Sequence, residues 1–470
     1  MLAKRTDDEL HSVGLSRSQL GISGAVADGC PNPSARDKRI QDSIELGNSY
    51  HGIYCPALPN GEYRMNESGS QEEVCTFFPL VNPISEEANK LPRHRGWKLG
   101  AAFGLAVTII TAGIIFGGEW EHVAFGAWET VPVISLALLA YLGTKWAKVL
   151  ALVCLAMILL IAGLATLLIT LLVVESGVFT QPNPVPSQVR NALIKLALIS
   201  GGIGGAIMFA SAGFFPGVRR SVSRVLPLDP ESFVHMVALV IVTALTVLSF
   251  VPLLVLAAPP LETLVSIRLA QGEDLTEGRG RAGMLLNELY SLVWLVPATV
   301  LAVGYGVRRN FKQALERLGL QRPTRRQVAG GVGLAVVLVV TVGALSPCMD
   351  WIWGAMGWPK TDMKSFEKLL THFFTPLGAL VIGVVAGLGE ELAVRGVLQP
   401  RLGIWLSNLF FTGLHALQYN WDGLLIVFFL GLILGLVRKK SNTTTSAIVH
   451  GSYDSLFVMA VVLQIPGFSE

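Results

Sequence analysis

Long apolar runs separated by short polar stretches fill the chain from Leu99 onward, whereas residues 1–96 show no sustained periodicity. Most runs are close to the roughly 20 residues that an α-helix needs to cross a bilayer. The pattern predicts an all-α, polytopic transmembrane helical bundle with a polar, largely flexible N-terminal tail. About eleven spans are predicted, at residues 99–118, 130–146, 149–174, 192–216, 233–258, 284–306, 328–346, 374–398, 402–418, 421–437 and 444–465.

Composition supports this fold class. Hydrophobic residues make up 52% of the 470 residues and charged residues 15%, whereas soluble domains carry about 25% charge. Of the 69 charged residues (36 basic and 33 acidic), 23 precede Lys98. Ordinary soluble domains are therefore excluded, and so is uniform disorder, which requires low hydrophobicity. The net charge of +3 is too small to indicate a nucleic-acid partner.

Basic residues gather in alternate loops, which predicts the orientation because cytoplasmic loops carry an excess of Lys and Arg. All five sets fall on one side if the spans alternate. We therefore expect a multi-pass protein of the plasma (inner) membrane with its N-terminus in the cytoplasm. The sets are Arg93, Arg95 and Lys98; Lys145 and Lys148; Arg219, Arg220 and Arg224; Arg308 to Arg326; and Arg438, Lys439 and Lys440.

Ionisable residues occur inside the last four predicted spans. Inserting each of them into the membrane interior costs about 2.5–3.5 kcal/mol, so such residues usually have a function there. Glu391 and Arg395 are four residues apart, so they are predicted to pair on one face of an α-helix. Glu390 lies about 140° around that helix from Arg395 and points elsewhere. An unpaired carboxylate in an apolar site is suited to act as a general base.

Two later spans supply further polar groups. His450 and Asp454 are four residues apart, so Asp454 can orient the imidazole. His415, one turn after Phe411, presents a second donor. A base with two or three fixed donors is what the attack of water on an amide requires.

Three patterns occur in order on separate spans: Glu-Glu-x-x-x-Arg, Phe-x-x-x-His and His-x-x-x-Asp. Together they resemble the CPBP (Abi) family of intramembrane proteases, which includes the type II CAAX prenyl proteases. The resemblance covers about residues 283–467. It suggests three regions: a polar tail at 1–96, accessory transmembrane helices at 97–260, and a CPBP-like protease core at 261–470.

The resemblance implies a glutamate-dependent endopeptidase without a cofactor, in which Glu390 activates water. It implies that His415 is a second catalytic donor or base and that His450 with Asp454 stabilises the oxyanion. The substrate would be a membrane-associated or prenylated (CAAX-type) protein or peptide. The prenyl proteases carry Asn in place of Asp454, so this carboxyl either orients His450 or is held protonated. The matched residues with an implied supporting role are Glu391, Arg395 and Phe411.

Several alternatives remain open from the sequence. The polar residues could hold helices together by interhelical hydrogen bonds, or Glu390, His415 and His450 could bind a divalent metal. A proton-coupled transporter would use intramembrane carboxylates and broken helices, and a non-catalytic membrane scaffold could retain the same fold. A zinc protease with a His-Glu-x-x-His helix is excluded because that sequence is missing. A run of four glycines is the candidate for a broken helix, at Gly201, Gly202, Gly204 and Gly205.

Overall fold

The described residues form helices and connecting turns, with no β-strand among them, which confirms the predicted all-α class. The computed structural model describes residues 115, 119–179, 185–272, 280–465 and 468. The predicted tail at 1–96 and the first predicted span at 99–118 therefore lie outside, or almost outside, the described residues.

Thirteen helices of the described part carry labels here, and short connecting helices are left unlabelled. The first six are α1 Glu119–Leu142, α2 Lys145–Val174, α3 Pro186–Ser211, α4 Phe233–Leu256, α5 Pro260–Ala270 and α6 Arg281–Ala302. The next three are α7 Phe311–Leu318, α8 Arg325–Met356 and α9 Met363–Leu370. The last four are α10 Pro376–Val385, which continues as a π-helix Ala386–Leu398, then α11 Gln399–Leu414, α12 Trp421–Lys440 and α13 Thr443–Val462.

Eight helical runs of the described part are long and apolar enough to cross a membrane, so the predicted count of about eleven is not confirmed. The predicted span at 130–146 corresponds to a shorter apolar helix, Thr130–Leu142. The predicted spans at 374–398 and 402–418 form one helical run, Pro376–Leu417. Composition separates apolar runs well, but it does not show where one helix continues into the next.

The run Pro376–Leu417 reverses direction at Gly403, whose φ of 72° lies in the left-handed region that favours glycine. Arg395 and Phe411 are 16 residues apart, about 24 Å along a straight helix. Their side chains nevertheless meet, with the guanidinium 4.3 Å from the ring centroid. The run therefore forms two antiparallel legs, and this brings two of the three sequence patterns together.

Loops that carry basic residues meet at one end of the bundle, which we call the basic end. Arg308 Nε donates to the carbonyl of Tyr141 at 3.1 Å, just before the loop that leads to α2. Thr443 Oγ1 at the start of α13 donates to the carbonyl of Leu318 at the end of α7. Each contact joins two helix ends that the distribution of basic residues places on the same side of the membrane.

Polar N-caps set where two helices of the later bundle begin. Thr375 Oγ1 accepts a hydrogen bond from the amide of Gly378 at 2.9 Å, and Pro376 occupies the first turn of α10. Asn442 Oδ1 accepts from the amide of Thr445 at 2.8 Å at the start of α13. These side chains satisfy amides that lack a partner within the helix.

Helix α4 lies in the predicted accessory region but packs against the later helices. A Cβ on Gly413 of α11 would lie 3.2 Å from the ring of Phe250, so the two helices approach closely here. Leu239 and Val242 of α4 share a buried cluster with Leu402. Apolar packing therefore joins α4 to the later helices.

The four glycines of α3 do not break it, because the helix continues through all of them. A Cβ on Gly202 would lie 2.8 Å from a methyl group of Val251, so this position permits close packing on α4. A Cβ on Gly201, Gly204 or Gly205 would meet nothing within 4 Å. The broken helix that a transporter would use is not formed here.

Candidate active site

The two candidate glutamates and the arginine lie on the π-helix Ala386–Leu398, not on an α-helix. A π-helix bonds residue i to i+5 and often occurs at functional sites. The expected separation of 140° between Glu390 and Arg395 assumed 3.6 residues per turn, so that angle does not hold in this wider helix. The predicted contact between Glu391 and Arg395 nevertheless forms, at 3.2 Å.

Glycines let α13 approach the π-helix and α10 backbone to backbone. A Cβ on Gly383 would lie 2.4 Å from the carbonyl oxygen of Gly451, and a Cβ on Gly451 would lie 2.4 Å from that of Gly383. A Cβ on Gly387 would lie 2.7 Å from the carbonyl oxygen of Ala447. Any side chain at these positions would push the helices apart. The close approach places His450, the neighbour of Gly451, against Glu391.

Glu391 is fully buried, with 0% of its surface exposed, and both of its carboxylate oxygens are occupied. Oε1 lies 3.2 Å from Arg395 Nη1 and 3.0 Å from His450 Nδ1. Oε2 accepts a hydrogen bond from the hydroxyl of Ser446. A fully buried carboxylate with three partners holds the surrounding helices in place.

His450 lies between two carboxylates. Its Nδ1 donates to Glu391 Oε1, and its Nε2 lies 3.4 Å from Asp454 Oδ2. The spacing of four residues predicted that Asp454 could reach this ring, and the structure brings the two together. The two contacts fix the orientation of the imidazole, because each nitrogen faces its own acceptor.

Glu390 is in a different environment from its neighbour Glu391. It is half-buried, and its Oε2 atom is buried without a hydrogen-bond partner in the described part of the chain. Buried polar atoms nearly always have a partner, so this oxygen is able to accept a hydrogen bond from a further group. Glu390 therefore differs from Glu391, whose two oxygens both have partners.

Phe411 packs at the centre of the polar cluster and is 4% exposed. The guanidinium of Arg395 lies over its ring, and its centroid is 4.8 Å from that of His415 and 5.9 Å from that of His450. A cation over an aromatic face is attracted to it. The ring thereby joins the three sequence patterns in one packed unit.

His415 lies at the end of α11, where its Nδ1 is 2.9 Å from the carbonyl oxygen of Phe411. A carbonyl only accepts, so Nδ1 carries the hydrogen. No side chain or main-chain group of the described residues is bonded to Nε2. Nε2 is therefore the ring nitrogen of His415 that can still form a hydrogen bond.

Two residues near the site were missed by the sequence analysis. Ser446 precedes His450 by four residues, so the helical spacing that singled out Asp454 could also have found it. Tyr419 lies in the turn after α11, with its ring centroid 6.1 Å from that of His415. Burial, and then the carboxylates of Asp454 and Glu390, raise the pKa of Tyr419, so its phenol stays protonated as a donor.

The three candidate metal ligands are not gathered around one point in the described part of the chain. Among the residues that the structure describes, no group of three or more His, Cys, Asp and Glu side chains is placed to hold a metal ion. In the set that we considered, Glu390, His415 and His450, the histidine of α13 already has a carboxylate at each ring nitrogen.

Residues 372–456 match the protein family described as "Type II CAAX prenyl endopeptidase Rce1-like". The match covers α10, the π-helix, α11, α12 and most of α13, and includes all seven candidate residues. It confirms the resemblance to the CPBP family, and at the level of the family it indicates a CAAX-type intramembrane endopeptidase. The apolar helices and this match identify an integral, multi-pass membrane protein. No curated protein and no solved structure matches the chain significantly.

Proposed function

We propose that this protein is a glutamate-dependent intramembrane endopeptidase in which Glu390 activates water. The observation that carries the proposal is the difference between two adjacent carboxylates. Glu391 has partners at both oxygens, whereas Oε2 of Glu390 is buried without one in the described part of the chain. A general base needs such a free oxygen, and it needs fixed neighbours that hold its position.

In the proposed reaction, Glu390 accepts a proton from water while the water oxygen bonds to the carbonyl carbon of the scissile peptide. Negative charge then develops on the carbonyl oxygen and requires donors nearby. We assign these to His415 and to the phenol of Tyr419. The carbonyl then re-forms and the C–N bond breaks as the proton on Glu390 passes to the leaving amine. This restores the Glu390 carboxylate and leaves one product with a new carboxyl group and one with a new amine.

We assign positioning roles to the remaining residues of the cluster. Asp454 faces His450 Nε2 at 3.4 Å and orients the ring, as an acidic residue can do where the prenyl proteases carry Asn. Glu391 and Arg395 form the buried pair that holds the π-helix against α13, and Phe411 packs against both histidines and the guanidinium. This geometry supports an orienting role for Asp454 better than direct contact with the oxyanion.

We further propose that the substrate is a membrane-associated or prenylated (CAAX-type) protein or peptide. The family match and the location of the cluster among membrane-spanning helices support this substrate class. The meeting of basic loops at one end supports a cytoplasmic N-terminus in the plasma (inner) membrane, because cytoplasmic loops are enriched in Lys and Arg.

The first test compares protein termini in membranes of cells that carry the wild type, Glu390→Gln or Glu288→Gln. Glu288 is the matched control, since it is another half-buried glutamate of a membrane helix. We expect specific cleaved termini to disappear with Glu390→Gln at an unchanged protein level, and to persist with Glu288→Gln. Identical termini in all three membranes, together with a transport phenotype in the Glu390 variant, would favour a proton-coupled transporter. Identical termini without any phenotype would favour a scaffold.

The second test uses the purified full chain and a peptide with a C-terminal CAAX sequence, with and without a farnesyl group. We expect cleavage of the farnesylated peptide to fall by about 10²–10⁴-fold in Glu390→Gln, the range for loss of a general base. Metal content and the effect of a chelator are measured on the same samples. Loss of activity with a chelator, restored by one metal, would replace the glutamate-only mechanism with a metal-dependent one.

A further inference from the structure

Three consecutive main-chain carbonyls at the end of the π-helix accept hydrogen bonds from arginine side chains. Pro400 has no N–H, so the main-chain donor that a π-helix would supply to the carbonyl of Arg395 is missing. Arginine side chains donate to this carbonyl and to the next two. The three pairs are Arg438 Nε to Arg395 O at 3.1 Å, Arg317 Nη1 to Gly396 O at 3.2 Å, and Arg401 Nη1 to Val397 O at 2.7 Å.

A fourth arginine joins this group through Tyr141. The guanidinium groups of Arg309 and Arg401 lie 6.0 Å and 5.9 Å from the centroid of its ring, and Arg401 Nη2 also donates to its hydroxyl. We call Arg309, Arg317, Arg401 and Arg438 the arginine cluster. Its members come from four different segments of the chain and meet at the basic end.

The arginine cluster has no acidic partner among the described residues. Every hydrogen bond of its four guanidinium groups goes to a main-chain oxygen or to the Tyr141 hydroxyl. Burial, and then the charges of Arg401, Arg309 and Arg438, lower the pKa of Arg317 to about 9, with Tyr141 opposing the change. Like charges held together in a partly buried site favour the binding of an anion.

Donors in the cluster remain available for such an anion. A guanidinium has five N–H groups, and Arg317 and Arg438 each use one nitrogen for a hydrogen bond within the described residues. Both side chains are half-buried, so part of each remains accessible to a ligand. The planar fork of arginine matches the geometry of phosphate oxygens.

We propose that the arginine cluster binds a phosphoryl group, supplied by the headgroup of an anionic phospholipid. The cluster lies at the end of a membrane-spanning bundle, where headgroups lie, and basic pockets between transmembrane helices recognise such headgroups. This site is separate from the proposed peptidase site and does not depend on it. The bound anion would neutralise the arginines that hold the end of the π-helix carrying Glu390 and Glu391.

The test measures lipid retention by native mass spectrometry of the purified full chain. Wild type is compared with the double variant Arg317→Gln/Arg438→Gln and with Lys439→Gln, an exposed basic residue of the same helix end outside the cluster. We expect one phosphatidylglycerol molecule to be retained by the wild type and by Lys439→Gln, and its apparent affinity to fall by about tenfold or more in the double variant. Equal retention by all three proteins would overturn the proposal.

Competition on the unmodified protein keeps the proposal testable even if the double variant folds poorly, which circular dichroism would detect. Failure of inorganic phosphate to displace phosphatidylglycerol would identify the lipid as the source of the phosphoryl group. Displacement by inorganic phosphate would keep the phosphoryl site but assign it to a small ion. Retention of oleate as strong as that of phosphatidylglycerol would overturn the phosphoryl proposal, because a carboxylate would then suffice.

Discussion

Helix α2 and the run Pro376–Leu417 show opposite relations between hydropathy and burial. The most apolar window of α2 has a mean hydropathy of 2.9 but is only 22% buried, whereas that of the run has a mean hydropathy of 1.8 and is 56% buried. A water-soluble protein would bury its most apolar helix. Here lipid is the solvent for α2, so apolar side chains gain little from burial and the interior is free to hold polar groups.

The contacts inside the two regions differ in the same way. Ala151 and Leu155 of α2 pack in an apolar cluster with Val240. In the site region, polar side chains bond to the carbonyls of α12 instead: Arg395 Nη2 to Gly431 O at 3.1 Å and Gln399 Nε2 to Gly435 O at 2.8 Å. Polar groups in an apolar medium must find such partners, and they thereby fix one arrangement of the helices.

The largest effect on stability is expected from Glu391→Gln. This change leaves Arg395 buried without its carboxylate, which we expect to lower the free energy of unfolding by about 3–5 kcal/mol. The matched control is Glu390→Gln, which removes a carboxylate without hydrogen-bonded side-chain partners and should cost less than about 1 kcal/mol. Denaturation of both variants in the same detergent measures the difference, and an equal loss would contradict the separate roles of the two glutamates.

The second prediction concerns Glu262, a buried carboxylate that lies outside the membrane-spanning helices. Burial, and then the charges of Asp362 and Asp422, raise the pKa of Glu262 from 4.5 to about 7, although the Asp362 amide opposes the change. The folded state thus keeps a proton that the unfolded chain loses above about pH 4.5. The protonated Glu262 carboxyl therefore contributes up to about 3 kcal/mol to the free energy of unfolding. This contribution is fully present below about pH 4.5 and is lost as the pH rises through about 7.

The measurement is the melting temperature of the purified protein between about pH 5 and pH 8. We expect it to fall across this range in the wild type and to fall less in Glu262→Gln, which cannot ionise. An unchanged slope in the variant would show that other groups cause the pH dependence.

The third prediction concerns the glycines. Gly451→Ala places a Cβ 2.4 Å from the carbonyl of Gly383, and forcing the helices apart should cost about 1–3 kcal/mol and reduce peptidase activity. Gly204→Ala on α3 is the control because its Cβ would meet nothing within 4 Å, so it should be neutral or stabilise by up to about 1 kcal/mol. Similar melting temperatures for both variants would contradict the close helix contact.

The smallest effects are expected within α2 itself. Leu164 is 55% exposed and Leu155 is 1% exposed. We expect Leu164→Ala to change the free energy of unfolding in lipid by less than about 0.5 kcal/mol. Leu155→Ala should cost about 1–2 kcal/mol, because the smaller side chain loses van der Waals contacts in the core. In lipid, no change in the exposure of apolar surface to water adds to this cost. Unfolding in lipid bicelles measures both, and a large cost at Leu164 would show that this surface faces protein.

The fold class, most of the apolar spans and the set of candidate residues could be predicted from the sequence. These features depend on composition or on pairs of residues four apart, such as Glu391 with Arg395 and His450 with Asp454. A helix brings such pairs together whatever its position in the bundle. The angle of about 140° that was expected between Glu390 and Arg395 assumed an α-helix and does not hold in the π-helix. The hydrophobic pattern carries no information about i+5 bonding, so the π-helix could not be found from it.

The contacts between the three separate patterns could not be predicted from the sequence. Glu391 and His450 are 59 residues apart, and their contact depends on the close approach of two glycine-bearing helices. Phe411 contacts Arg395 because the chain reverses at Gly403. The sequence has 49 glycines, and nothing in it distinguishes this one as the site of a reversal. Rotation and crossing of helices in lipid are set by side-chain packing and a few buried polar bonds, and these act between residues that are distant in sequence.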